Sequence, residues 1–181
     1  MNNKMIKISA SLMAVGIMAP TILFTANEAK ANEQNQEQIQ QQADLQKKLG
    51  QGMLEGLHQN KDAFQKAGVY EKMELDARAV ANGENQEGKA TLSAKAGAKA
   101  IKATAKKVGK KAWDAYITQV EKKANVKLGL LHYQSIFDFC DYITGFGGTV
   151  QEAISEGLQN KLGFNKTIAD FTAQAFVTVV L

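Results

Sequence analysis

The longest stretch of this chain that fits only one kind of secondary structure is residues 91–124, which are rich in Ala and Lys and contain no Pro. Ala and Lys are strong helix formers, so a run of this composition favours a helix over a strand. A helix turns by about 100° per residue, and this periodicity places two stripes of side chains on different sides of the helix. One stripe is apolar and thin, because most of its members are Ala. The other stripe consists of five lysines: Lys95, Lys99, Lys102, Lys106 and Lys110. We therefore predict a cationic amphipathic helix.

Residues 1–31 have the three parts of a secretory signal peptide. Two lysines precede an apolar run over residues 8–24, and Ala29-Lys30-Ala31 precedes a polar stretch. Ala29 and Ala31 predict cleavage after Ala31. A retained membrane anchor is the alternative, although two serines, a glycine and a proline interrupt the run. The protein is therefore predicted to be secreted by a Sec-type signal peptide.

Charge is sorted into blocks along the remaining chain. Residues 89–127 carry 11 basic and 2 acidic side chains. Residues 32–88 carry 6 basic and 10 acidic side chains, and residues 128–181 carry 2 basic and 5 acidic side chains. The middle block is therefore strongly basic and lies between two acidic ones. A basic block can bind nucleic acid, but an exported protein meets anionic lipid and cell-wall polymers first, so we expect no nucleic-acid partner.

The mature chain is predicted to have two parts. Residues 32–88 form a polar, acidic N-terminal region, in which residues 32–46 have too few apolar side chains to bury a face and predict a mobile arm. One or two weak helices follow over residues 45–80, and residues 82–88 are expected to form an exposed linker. Residues 89–181 are predicted to form a basic and apolar helical domain.

Three further helices are predicted after residue 127. An apolar helix covers most of residues 128–146, Thr149 caps a second helix that ends at Gly163, and Asn165 or Thr167 caps the last. Residues 171–181 carry no charge and are too short to cross a bilayer alone; they insert as part of a hairpin, pack as a final core helix or form a terminal strand. The predicted fold class is all-α, a small bundle with about four helices in its C-terminal part, preceded by a partly disordered, partly helical region.

No pattern in the sequence indicates an enzyme, a cofactor or a metal site. His132 and Cys140 are eight residues apart, about 80° on one helix, and the aromatic neighbours of Cys140 predict a packed thiol. His58 and Asp62 form at most a solvated helix pair. Asp138 and Asp141 are expected on the outer face of an aromatic helix.

The lysine stripe and the apolar segment after it favour a membrane-directed function. Each lysine near an anionic membrane contributes on the order of 1 kcal/mol, and Trp113 is predicted to anchor at the interface, where amphipathic rings are favoured. The alternative is a solvated lysine face on a core helix. Simple insertion of the C-terminal helices is disfavoured, because several of their side chains are charged. A bundle that opens at a membrane, or docks on a membrane-protein receptor, fits better.

The cleavage site after Ala31, the polar N-terminal region, the basic run over residues 95–111 and the apolar C-terminal block resemble, in layout, the large, heat-labile, non-lytic bacteriocins of Gram-positive cocci (dysgalacticin-like). The resemblance implies a secreted antibacterial protein that dissipates the membrane potential of related bacteria, with a sugar-transport permease as target. A cognate immunity protein is then expected. The alternative function is a secreted, non-toxic protein that binds a host or cell-wall component.

Overall fold

The computed structural model describes residues 26–84 and 91–181, with the backbone alone for residues 26–35 and Gln38. Most of the predicted signal peptide and of the predicted linker therefore lie outside the described residues, and the side chains of Ala29 and Ala31 do too. Within the described ranges the chain forms α-helices and one short 3-10 helix (Gly129–Leu131), without strands. The predicted all-α class is confirmed. The helices are α1 (Ala26–Gln59), α2 (Lys61–Lys66), α3 (Tyr70–Ala81), α4 (Ala94–Val108), α5 (Lys110–Ala124), α6 (Tyr133–Ile143), α7 (Val150–Leu162) and α8 (Lys166–Val180).

The helices share one core. α1 packs against α3, α5 and α8, while α4 packs against α6 and α7, and α7 against α8. α1 and α5 approach closely at Gly52, where an added Cβ would lie 2.8 Å from the Cα of Val120. Buried side chains from α1, α5 and α8 join in a single hydrophobic cluster. The predicted boundary at residue 89 therefore does not coincide with a break in the core.

Several helix ends lie where local chemistry predicts them. The Thr149 hydroxyl accepts from the N–H of Glu152, whose carboxylate accepts from the N–H of Thr149, so a complete capping box begins α7. The Asn165 side chain caps α8 with a single bond, by accepting from the N–H of Ile168 at 2.9 Å. Gly163, at φ +70°, ends α7 in the left-handed conformation that glycine adopts without steric cost.

The uncharged C-terminal segment is a core helix. α8 buries nine residues, including every residue from Ala175 to Val180, so the alternative of a terminal strand is wrong. A helix can bury this segment on all sides because neighbouring helices surround it, which overrides the strand preference of its β-branched residues. Within residues 26–84 and 91–181, no helix combines the length and apolar character needed to span a membrane.

The described part of the N-terminal region contains α1, α2 and α3. α1 continues through the segment predicted to be a mobile arm, and the side chains of Gln36, Glu37, Ile39 and Gln40 are exposed. Tertiary packing begins further along, because Leu49 and Met53 are the first fully buried large side chains of α1. The low apolar content of the arm thus predicts its exposure, although its backbone is regular.

Candidate functional site

α4 has one cationic side and one buried side. Its sequence contains five lysines and no acidic residue, and the Ser93 hydroxyl starts it by accepting from the N–H of Ala96 at 3.3 Å. Lys95, Lys99 and Lys106 are exposed. The buried side consists of small or medium side chains: Ala94, Gly97, Ala98, Ile101, Ala105 and Val108. The two faces of this helix are therefore those predicted from the sequence.

The lysine stripe does not continue along one helix. Gly109 has φ +83° and ψ 157°, a conformation that is essentially restricted to glycine, and there α4 ends and α5 begins. Lys110 is therefore the first residue of a second helix. The prediction of one helix over residues 91–124 is wrong at this point, because the apolar periodicity continues across the break and conceals it.

Three of the five stripe lysines make side-chain contacts, two of them with α6. Lys102 donates to the carboxylate of Asp141 on α6, and the ammonium of Lys106 lies 5.7 Å from the ring centroid of Phe137, one turn earlier on α6. Lys110 donates to Asp114 at 2.5 Å within α5. The partner of Lys106 precedes the partner of Lys102 along α6, so α4 and α6 run antiparallel. Lys102 and Lys106 therefore follow a seam between α4 and α6.

Four other lysines of α4 and α5 form a cationic surface, which we call the α4–α5 lysine surface. All four are exposed, and none of the described ion pairs involves them. Lys107 and Lys111 belong to this surface although they lie outside the stripe predicted from the sequence. Its members are Lys95, Lys99, Lys107 and Lys111.

Trp113 is in the core, so the surface role predicted for it does not hold in this fold. Its side chain is 0% exposed and packs against Tyr116 and, edge to face, against Phe176 of α8. The indole N–H donates to the carbonyl oxygen of Leu131 at 2.7 Å, which satisfies the polar end of the ring without water. Trp113 reaches a membrane interface only if the bundle opens.

A polar junction joins α5 to the start of α6. The carboxylate of Asp114 accepts from the N–H of Tyr133 at 2.7 Å, and the two ring nitrogens of His132 lie 3.3 Å from Asp114 and 3.2 Å from Glu121. Burial raises the pKa of Asp114, but the bonds from Lys110 and Tyr133 outweigh it, and the net shift is downward. No local spacing in the sequence indicates this junction, because His132 is 18 residues from Asp114.

The residues considered for catalysis lie apart. Cys140 is fully buried, as predicted, and burial raises the pKa of its thiol to about 12. His58 lies 3.3 Å from the carboxylate of Glu74, on α3, instead of pairing with Asp62. Asp138 and Asp141 are exposed on α6. In the part of the chain that the structure describes, no group of three or more His, Cys, Asp or Glu side chains is arranged to hold a metal ion.

An open cleft of about 580 Å³ lies where the α1–α2 connection faces the break between α4 and α5. Lys61, Lys110 and Lys111 line it together with His58 and Asp62, so its walls carry both signs of charge. The cleft extends the basic character of the α4–α5 lysine surface around the end of α4. Surfaces of this kind attract phosphate-bearing polymers and membranes through long-range charge.

No protein-family model, curated protein or solved structure matches this chain.

Proposed function

We propose that this protein is an exported antibacterial protein of bacteriocin type, which acts at the membrane of related bacteria by binding and not by catalysis. The observation that carries the proposal is the α4–α5 lysine surface, because α4 contains no acidic residue that would neutralise it. The layout of the chain, with a predicted signal peptide and a basic block before an apolar one, supports the same function.

Recruitment is electrostatic. Each lysine near an anionic surface contributes on the order of 1 kcal/mol, so four exposed lysines contribute several kcal/mol at low ionic strength. The effect falls off within a Debye length of about 8 Å at physiological salt, so the surface must come close to the lipid headgroups. The acidic N-terminal region lowers the net charge of the whole molecule but not the charge density of this face.

Damage to the membrane requires a second step. α8 is the apolar helix of the bundle that such a step would expose, but its nine buried residues are enclosed by α1, α3 and α7. We propose that contact with the membrane, or with a membrane-protein receptor, opens the bundle and releases this helix. A cognate immunity protein in the producing cell would block that step.

A secreted, non-toxic binding protein is the second candidate. The observation that favours it is the closed core, in which Trp113 and α8 are buried and Lys102 and Lys110 form ion pairs within the bundle. In this case the α4–α5 lysine surface binds an anionic wall polymer or host component and the bundle stays closed.

The test applies purified residues 32–181 to a panel of related bacteria and follows growth and membrane potential. Growth inhibition with depolarisation supports the antibacterial function, and the absence of both across the panel refutes it. Binding to whole cells without either effect supports the second candidate.

A charge-matched pair of variants tests the role of the surface. Replacement of Lys95, Lys99, Lys107 and Lys111 by Gln should weaken killing, more strongly at low salt than at high salt. The control replaces four exposed lysines elsewhere, Lys47, Lys66, Lys122 and Lys127, and changes the net charge equally. Equal potency of the two variants would remove the α4–α5 lysine surface from the mechanism.

A further inference from the structure

At one end of the bundle, apolar side chains beside the core are partly exposed. There the start of α4 meets the loop between α6 and α7, because the N–H of Ala94 donates to the carbonyl of Gly148 at 3.0 Å and the N–H of Val150 to that of Leu92 at 2.8 Å. Tyr142 and Phe146 lie at the same end, with ring centroids 5.4 Å apart. We call Leu92, Tyr142 and Phe146 the apolar tip.

The tip is exposed and free of charge along its loop. Leu92 is 40% exposed, Tyr142 is 37% exposed and Phe146 is half-buried. Residues 142–148 contain no charged side chain and three glycines. The loop can therefore leave water without desolvating a charge, which is the largest penalty for contact with lipid.

Three lysines lie beside the tip. The ammonium of Lys161 lies 4.3 Å from the centroid of the Tyr142 ring, and Lys95 and Lys99 follow Leu92 within the first turns of α4. Of the acidic side chains nearby, Asp141 pairs with Lys102, and Glu152 closes the capping box with Thr149. Asp138, one turn before Tyr142 on α6, is exposed. Positive charge therefore lies beside the apolar side chains of the tip.

We propose that the apolar tip is the part of the bundle that inserts into the headgroup region of an anionic lipid bilayer, with Lys95, Lys99 and Lys161 contacting lipid phosphates. This inference rests on the proposed function and identifies the contact point that Trp113 does not provide. Tyrosine is favoured at the interface level, and lysines keep their ammonium groups at the phosphates while their stems lie against apolar surface.

A lipid surface fits this patch better than a protein partner does. A stable protein interface needs about 800 Å² on each partner, which three partly exposed side chains do not provide. Shallow insertion into a bilayer needs no complementary shape. The combination of a small apolar point with flanking cations is therefore complementary to anionic lipid.

The test measures co-sedimentation of residues 32–181 with vesicles of phosphatidylglycerol and phosphatidylcholine, and with vesicles of phosphatidylcholine alone. Leu92→Gln should weaken binding to the anionic vesicles about fivefold, as expected for the loss of one partly buried leucine. The matched control is Leu75→Gln, since Leu75 on α3 is 67% exposed and lies outside the tip. Its binding should equal that of the unchanged protein.

A second pair of variants reports which side chain enters the bilayer, and not how tightly the protein binds the vesicles. The emission of Tyr142→Trp should shift to shorter wavelengths when anionic vesicles are added, whereas that of Leu75→Trp should not. The inference is overturned if the Leu92 and Leu75 substitutions weaken vesicle binding equally and the emission of Tyr142→Trp does not shift. It is also overturned if the unchanged protein does not bind the vesicles. Killing and depolarisation of cells are measured in a separate experiment. A negative result for the apolar tip in the vesicle assay therefore does not decide the antibacterial function.

Discussion

Substitution of Trp113 by Phe separates its core role from the surface role that the sequence suggests. In the structure the indole fills the space between Tyr116 and Phe176 and donates its N–H to the carbonyl of Leu131. Phenylalanine keeps an aromatic ring there but removes the donor and part of the ring. The variant therefore loses both a buried hydrogen bond and packing volume.

The expected loss of stability follows from these two changes. An unsatisfied buried carbonyl costs about 1–3 kcal/mol. The smaller ring leaves a space that costs about 1–2 kcal/mol more. Together they lower the free energy of unfolding by about 3 kcal/mol, which for a domain of this size lowers Tm by roughly 6–12 °C. Thermal unfolding followed by circular dichroism at 222 nm measures this shift.

The control is Tyr142→Phe, which removes a polar group from an aromatic residue that is 37% exposed. Its Tm should stay within about 1 °C of the unchanged protein. Trp113 is the single tryptophan of the chain, so the emission of the unchanged protein reports this site alone. A Trp113→Phe variant with unaltered Tm and weakened vesicle binding would refute the buried position and restore Trp113 as an interface anchor.

The remaining predictions concern packing and pH. Gly52→Ala should lower Tm, because the added Cβ would meet the backbone of Val120. The cost of about 1–3 kcal/mol exceeds the gain in helix propensity from Gly to Ala. The control is Gly129→Ala, which should leave Tm unchanged because no atom lies within 4 Å of the added Cβ. Cys140 should resist thiol reagents in the folded protein. Because its folded pKa is raised from 9.0 to about 12, its contribution to stability is present below pH 9 and is lost as pH rises towards 12. Urea unfolding from pH 8 to 11 should show a steeper loss for the unchanged protein than for Cys140→Ala; parallel curves would contradict the burial of the thiol.

Predictions that depend on neighbouring residues agree well with the structure. Thr149, Gly163 and Asn165 act at the helix ends indicated by the sequence, because capping needs only groups three or four residues apart. The apolar and cationic sides of α4 are also correct, since helix periodicity alone separates them. The break at Gly109 is not predicted from the sequence, because a glycine within a helical pattern can adopt either helical or non-helical dihedral angles.

The amino-acid sequence by itself determined the helical class, the ends of the last helices and the concentration of basic charge between residues 89 and 127, because these depend on composition and on short spacings. Only the tertiary structure decided which lysines face solvent and which follow the seam with α6. It also placed Trp113 beside a carbonyl 18 residues away and left Leu92 and Tyr142 exposed at one end of the bundle. These outcomes depend on how separate helices pack against one another, and that packing brings together residues that no local pattern relates.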